Sequence, residues 1–130
     1  MFKDSPAFSG FAAPDIAAVK KFYGETLGLD VRDARESGLI ELHVAGRTPI
    51  LVYPKPDHVP ANFTILNFPV RDIDAAVDEL RAAGVEMTRY PGFEQDDKGI
   101  ARGGDERGPS IAWFTDPAGN ILSVLQTDQG

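Results

Sequence analysis

Pro14-Asp15-Ile16-Ala17-Ala18-Val19 returns 57 residues later as Arg71-Asp72-Ile73-Asp74-Ala75-Ala76. In each copy an aspartate stands where a helix would begin, and its carboxylate suits the free N–H groups of a first turn. Helical spacing follows in both: Ile16, Val19, Phe22, Tyr23 and Leu27, then Ile73, Ala76, Val77 and Leu80. Gly28 and Gly84 stop the two helices, as residues free to take positive φ do. Further on, Ile40 matches Ile111 and Ile50-Leu51 matches Ile121-Leu122 at an offset of 71, so the second copy is 14 residues longer. The extra length falls in the polar, glycine-rich stretch 91–109.

The segments around these helices read as strands. Apolar or alternating runs cover 8–13, 29–34, 39–45 and 50–53 in the first half, and 63–68, 85–90, 111–115 and 121–126 in the second. Each half therefore reads β-α-β-β-β. A helix covers only one face of such a sheet and leaves the other open to a ligand or a partner. The fold expected is α+β: two βαβββ modules in tandem, 7–54 and 62–127, forming a curved mixed sheet around a cleft. Pro54, Pro56 and Pro60 mark a linker over 54–61. The long stretch 91–109 is either a lid or a surface excursion. The last four residues are expected to fray.

Composition narrows the function. The chain has 130 residues, is 42% hydrophobic and 25% charged, and reads as one globular domain. It has no cysteine, which removes disulfides, thiolate metal sites and cysteine nucleophiles. The start MFKDSPAFSG has no long apolar run after Lys3, so a signal peptide is not expected, and a cytoplasmic location is the simplest reading. No apolar run reaches the roughly 18 to 20 residues of a membrane span. The net charge of -7 disfavours nucleic acid. Most of that charge is in the second half: residues 61–130 carry 6 basic and 12 acidic side chains, against 7 and 8 in residues 1–60. This is either a solvated surface or a field for a cationic ligand.

Three motifs, in order on the repeat, carry a resemblance. They are Asp15 with Phe22-Tyr23 and Leu27-Gly28-Leu29; Phe68-Pro69-Val70-Arg71-Asp72-Ile73 with Ala83-Gly84-Val85; and Trp113-Phe114-Thr115-Asp116-Pro117-Ala118-Gly119-Asn120. The chain resembles the vicinal-oxygen-chelate superfamily of glyoxalase I, extradiol dioxygenases, and fosfomycin- and bleomycin-resistance proteins. In metal enzymes of that kind, His, Gln or Glu side chains from the first and last strands of each module hold a divalent ion. Carried over residue by residue, those positions are Phe8, Val52, Ile65 and Ser123. The first three have no donor atom, and Ser123 alone is a poor ligand. The resemblance therefore implies a metal-free binding protein with no cofactor, one that sequesters a toxic compound. A homodimer, side by side or with modules exchanged, is also implied.

The residues expected to line the cleft are Phe8, His43, Tyr53, Ile65, Asn67, Trp113 and Ser123. Phe8 and Ile65 would make an apolar floor. Trp113, the single tryptophan, would stack on a planar or cationic ligand, or else sit in the core or an interface. Tyr53, Asn67 and Ser123 would supply polar contacts. Asn67 shares the face of Ile65 if no bulge intervenes. His43 is either a half-exposed strand histidine or a ligand contact or general base. Catalytic residues are not identified. The competing reading is a lyase, isomerase or dioxygenase with an atypical metal site at Glu41, His43 and His58, or an acid–base catalyst at His43 or Glu41. A third is a module whose open surface is buried by another protein. Phe93 or Ile100 would close over a ligand if 91–109 is a lid, with Asp97 or Lys98 at its polar end. The turn Asp116–Asn120 reads as structural.

Overall fold

The computed structural model describes residues 1–35, 38–104 and 107–128. Asp105 and Glu106 of the long stretch, and Gln129 and Gly130 of the expected frayed end, lie outside the described residues. The architecture is mixed α+β, with two small open sheets and two α-helices. The chain divides into two compact units, Met1–Val59 and Pro60–Gly130. None of the helices is long and apolar enough to cross a membrane, among the described residues.

The first unit contains β1 (Gly10–Ala13), α1 (Ile16–Lys21), β2 (Asp30–Asp33), β3 (Ile40–His43) and β4 (Ile50–Pro54). The strand order is β1-β4-β3-β2, with β1 and β4 parallel and the other pairs antiparallel. Asp15 caps α1, its carboxylate accepting from the Ala18 N–H at 3.2 Å. The helix does not run straight to Gly28. It widens into one turn of π-helix, Phe22–Thr26, before Gly28 reverses the chain at φ +73°. The widened turn carries the fully buried Tyr23, whose ring lies 5.9 Å from that of Phe11. Val19 and Tyr23 pack with Ile40, Leu42, Ile50 and Val52 into an almost solvent-free core.

The second unit contains β5 (Thr64–Val70), α2 (Ile73–Ala82), β6 (Ile111–Thr115) and β7 (Ile121–Gln126), with strand order β5-β7-β6. Asp72 repeats the cap, accepting from the Ala75 N–H at 3.1 Å. Gln126 adds a second cap by accepting from the Ile73 N–H at 3.0 Å. Ile73 and Val77 of α2 are buried with Leu66, Ala112, Phe114, Leu122 and Val124.

Two expectations need correction. The strand over 85–90 does not form. That segment meets β6 at one bridge, Thr88 to Trp113, and the chain returns for a second bridge, Ala101 to Ile111. A loop that leaves the sheet and comes back cannot keep a continuous ladder with it. The second correction concerns register. The repeat offsets would set Asn67 against Leu122, as Gly10 lies against Leu51. The sheet instead pairs Asn67 with Ser123, after a bulge that leaves Ile65 without a partner between Thr64 and Leu66. The counterpart of Ser123 is therefore Leu51, not Val52, and that of Trp113 is Glu41. A slip of one residue exchanges the faces of a strand. Alternation agrees: Val52 is in the core under α1, whereas Ser123 lies between the core residues Leu122 and Val124 and so faces away from α2.

Candidate functional site

In the second unit, strand pairing aligns Asn67, Ser123 and Trp113 in one row across β5, β7 and β6. Partners in a row share a face. Their neighbours Leu66, Leu122, Ala112 and Phe114 point the other way, into the core beneath α2. Three residues chosen from sequence are thus brought together on the sheet face opposite the helix. The Ser123 hydroxyl is fully buried and donates to Asn67 Oδ1 at 2.5 Å. The Trp113 indole N–H donates to the Thr64 hydroxyl at 3.2 Å. The indole is thereby fixed in orientation, with its ring half-exposed.

Two more rings join it. Tyr90 meets Trp113 edge to face at 5.4 Å between centroids, and Phe93 meets Trp113 at 5.2 Å. Tyr90 and Phe93 are 6.4 Å apart, on a turn closed by the Phe93 N–H donating to the Tyr90 carbonyl at 3.2 Å. Phe93 remains 58% exposed. Burial pushes the Tyr90 phenol above its ordinary pKa, so it stays a neutral hydroxyl. Phe93, the most exposed of the three rings, offers aromatic surface that a planar or cationic guest could use.

The long loop closes this arrangement from the side and is firmly attached. Ile100, expected over a ligand, is completely buried in the core instead. Lys98 reaches Asp78 of α2 at 3.0 Å, and Arg102 binds Asp74 with two parallel hydrogen bonds at 2.9 and 2.8 Å. The Arg102 guanidinium holds the Asp74 carboxyl down to about 2. Burial opposes ionisation of Asp96. Bonds from the Ile100 N–H, Arg102 and the Lys98 N–H outweigh it and keep that carboxyl below the usual range. Gly103 allows the return strand to pass: a Cβ there would lie 2.2 Å from the Gly108 carbonyl oxygen.

The remaining sequence-selected residues lie elsewhere. Ile65 is the half-buried bulge residue of β5. In the first unit, His43 ends β3 and Tyr53 lies near the end of β4, 42% exposed. His43 and Glu41 share the face away from α1, with Nε2 3.1 Å from Glu41 Oε1. Phe8 precedes β1 and is 61% exposed. His58 is half-buried in the turn after β4. Among the described residues, no three His, Asp or Glu side chains gather as a metal site. None of Phe8, Leu51 and Ile65 carries a side-chain donor atom for a metal ion. Two grooves of about 400 and 420 Å³ flank Glu86–Arg89, lined by polar and charged side chains with Val85 and Met87, and neither contains the aromatic trio.

The sequence reading missed Tyr90 and Thr64. The signal for Tyr90 was present, since Tyr90-Pro91-Gly92-Phe93 places two aromatic rings across a Pro-Gly turn. Thr64 has no such signal, because its role depends on the reach of an indole from another strand. Asp116 is anchored by N–H groups of Ala118 and Asn120 and by the Asn120 amide, all at 2.9 Å, so the Asp116–Asn120 turn is structural.

Two helix-backed sheets built on one repeated plan define the α+β class of the protein. The chain belongs to the Glyoxalase/Bleomycin resistance protein/Dioxygenase superfamily, whose family model matches residues 8–124. The fold is similar to that of a glyoxalase family protein from Enterococcus faecalis, with 21% identity, TM-score 0.69, and 96% of this chain and 99% of that one covered. It is also similar to an antibiotic-binding protein from a Streptomyces species, with 23% identity, TM-score 0.65, and 94% and 96% covered. A genomically encoded fosfomycin resistance protein from Listeria monocytogenes shares the fold at 12% identity and TM-score 0.67, with 93% and 91% covered. No curated protein matches this sequence significantly.

Proposed function

We propose that this chain is a small-molecule-binding member of the superfamily that takes a planar aromatic ligand, without a metal, and sequesters it. The observation that carries this reading is the half-exposed trio of Trp113, Tyr90 and Phe93 beside the bond from the buried Ser123 to the exposed Asn67. Aromatic faces supply contact area, and a few polar groups fix orientation, which is the usual make-up of a small-molecule site. The excess of acidic side chains in residues 61–130 favours a cationic ring system over an anionic one. Antibiotic binding by a protein of the same fold is consistent with this. A cytoplasmic homodimer, each chain having modules 7–54 and 62–127 joined by the linker 54–61, completes the proposal.

The test is a titration of Trp113 fluorescence with ethidium, a planar cation, and with naphthoate, a planar anion. Saturable quenching by ethidium, weakened about ten-fold or more in Trp113→Leu (followed by ethidium emission), supports the reading. Equal binding by wild type and variant overturns it. Metal content of tag-free protein, with melts in the presence and absence of divalent ions, tests the metal-free part. Near-stoichiometric metal with a raised Tm would refute that part.

One observation favours a second reading. The Glu41–His43 contact at 3.1 Å orients an imidazole on an open sheet face, as a general base requires. In that reading the protein is an acid–base lyase or isomerase. Turnover lost in both His43→Ala and Glu41→Gln would identify it.

A further inference from the structure

Tyr90 and Phe93 belong to a segment that has no strand to hold it, yet both rings are set against Trp113. What replaces the strand is one side chain. The Gln95 amide accepts from the Tyr90 N–H at 2.9 Å and donates to the carbonyls of Thr88 at 3.0 Å and Gly99 at 2.7 Å. These main-chain groups lie on both sides of the turn that carries the rings. Gln95 therefore performs the pairing that a neighbouring strand would otherwise provide. It is half-buried, and its carbonyl and both donor bonds are used within the loop. From the far side, Arg102 and Lys98 tie the same loop to Asp74 and Asp78 of α2.

We propose that Gln95 is a positioning residue: it fixes the loop as a pre-formed wall, sets Tyr90 and Phe93 against Trp113, and so determines the width of ring system the site accepts. The ligand class rests on the small-molecule reading above; the positioning of the rings does not. Because ordering is complete before the ligand arrives, binding does not have to organise this loop. A site with such a wall discriminates between ring systems by size, since a rigid edge cannot withdraw for a wider guest.

Trp113 is the single tryptophan, so it reports on its own surroundings in ligand-free protein. The variant is Gln95→Met, which keeps the length of the side chain and removes all three hydrogen bonds. The expected result is a rise of about two-fold in the acrylamide quenching constant and a loss of about half the near-UV aromatic circular dichroism, with far-UV signal unchanged. Gln95→Glu keeps the acceptor for Tyr90 and should fall between the two. If Gln95→Met is folded and both Trp113 signals match wild type, the proposal is overturned. Should Gln95→Met fail to fold, Phe93→Leu decides, because Phe93 is mostly exposed and its replacement spares the core. Unchanged quenching in Phe93→Leu would likewise refute the wall. Ethidium affinity is measured separately and should weaken about five-fold in Gln95→Met. If wild type binds no ethidium while the Trp113 signals shift as expected, the ligand reading fails and the positioning of the rings stands.

Discussion

The two units start from the same plan and differ at one sheet edge. In the first, β2 pairs with β3 along four residues, from Asp30 opposite His43 to Asp33 opposite Ile40, and closes a four-stranded sheet. In the second, among the described residues, the corresponding edge of β6 meets Thr88 and Ala101, one bridge each. The segment between these two bridges holds Tyr90, Phe93, Gln95 and Ile100. A regular strand places side chains alternately on two fixed faces. The loop is free of that constraint. It sends Phe93 to one face of the sheet, buries Ile100 in the core and reaches α2 with Lys98 and Arg102. The comparison teaches that the longer second half exchanges ladder hydrogen bonds for side-chain bonds and thereby gains a three-ring surface. The first unit, with its edge filled, presents Glu41 and His43 instead.

The strongest way to break this comparison is at Ile100. If the loop is part of the second core, Ile100→Ala should destabilise the protein by about 2–5 kcal/mol in urea unfolding. A cost below about 0.5 kcal/mol would mark a surface change and make the loop an independent excursion. The helix caps provide a matched pair. Asp15→Ala and Asp72→Ala should each cost about 1 kcal/mol. Asp72→Ala is expected to be the milder, because Gln126 also caps α2. The reverse order would show that this second cap contributes little.

A smaller effect concerns pH. The Asp74 carboxyl is held at about 2 in the folded protein, below its ordinary 3.8. A depressed folded pKa stabilises above the ordinary value, and that stabilisation is lost as pH falls toward about 2. Asp74→Asn should therefore flatten the pH dependence of the urea midpoint between pH 4 and pH 2. An unchanged slope would show that Arg102 does not hold this carboxylate in solution. The smallest expected effect separates the two open faces. His43→Ala should leave ethidium binding unchanged if the ligand rests on the second unit. Loss of binding would move the site toward Glu41 and His43.

Much of the fold was legible in the sequence, since its determinants are local. Asp15 and Asp72 cap helices because a carboxylate meets N–H groups three residues ahead. Gly28 and Gly84 take positive φ where the helices end. Asn67, Trp113 and Ser123 share a face through strand pairing, across a bulge at Ile65 that alternation alone does not report. The strand at 85–90 is absent because the chain leaves the sheet after one bridge, whereas the matching of Val52 with Ser123 fails on register. Matching isoleucines and leucines suggest an offset of 71, and identity of residue type does not report strand register. A bulge at Ile65 and a single residue of slip are invisible in the sequence and reverse which face each side chain occupies.

The sequence by itself determined the repeated helix starts, the superfamily and the lack of donor atoms at Phe8 and Ile65, for these depend on residue identity and short-range geometry. Only the tertiary structure decided that the edge of β6 is filled by a loop, that Ile100 is core, and that Tyr90 and Phe93 meet Trp113. Those outcomes depend on contacts between residues about 10 to 25 positions apart, where chain entropy, ladder pairing and side-chain hydrogen bonds compete and no local pattern records which prevails.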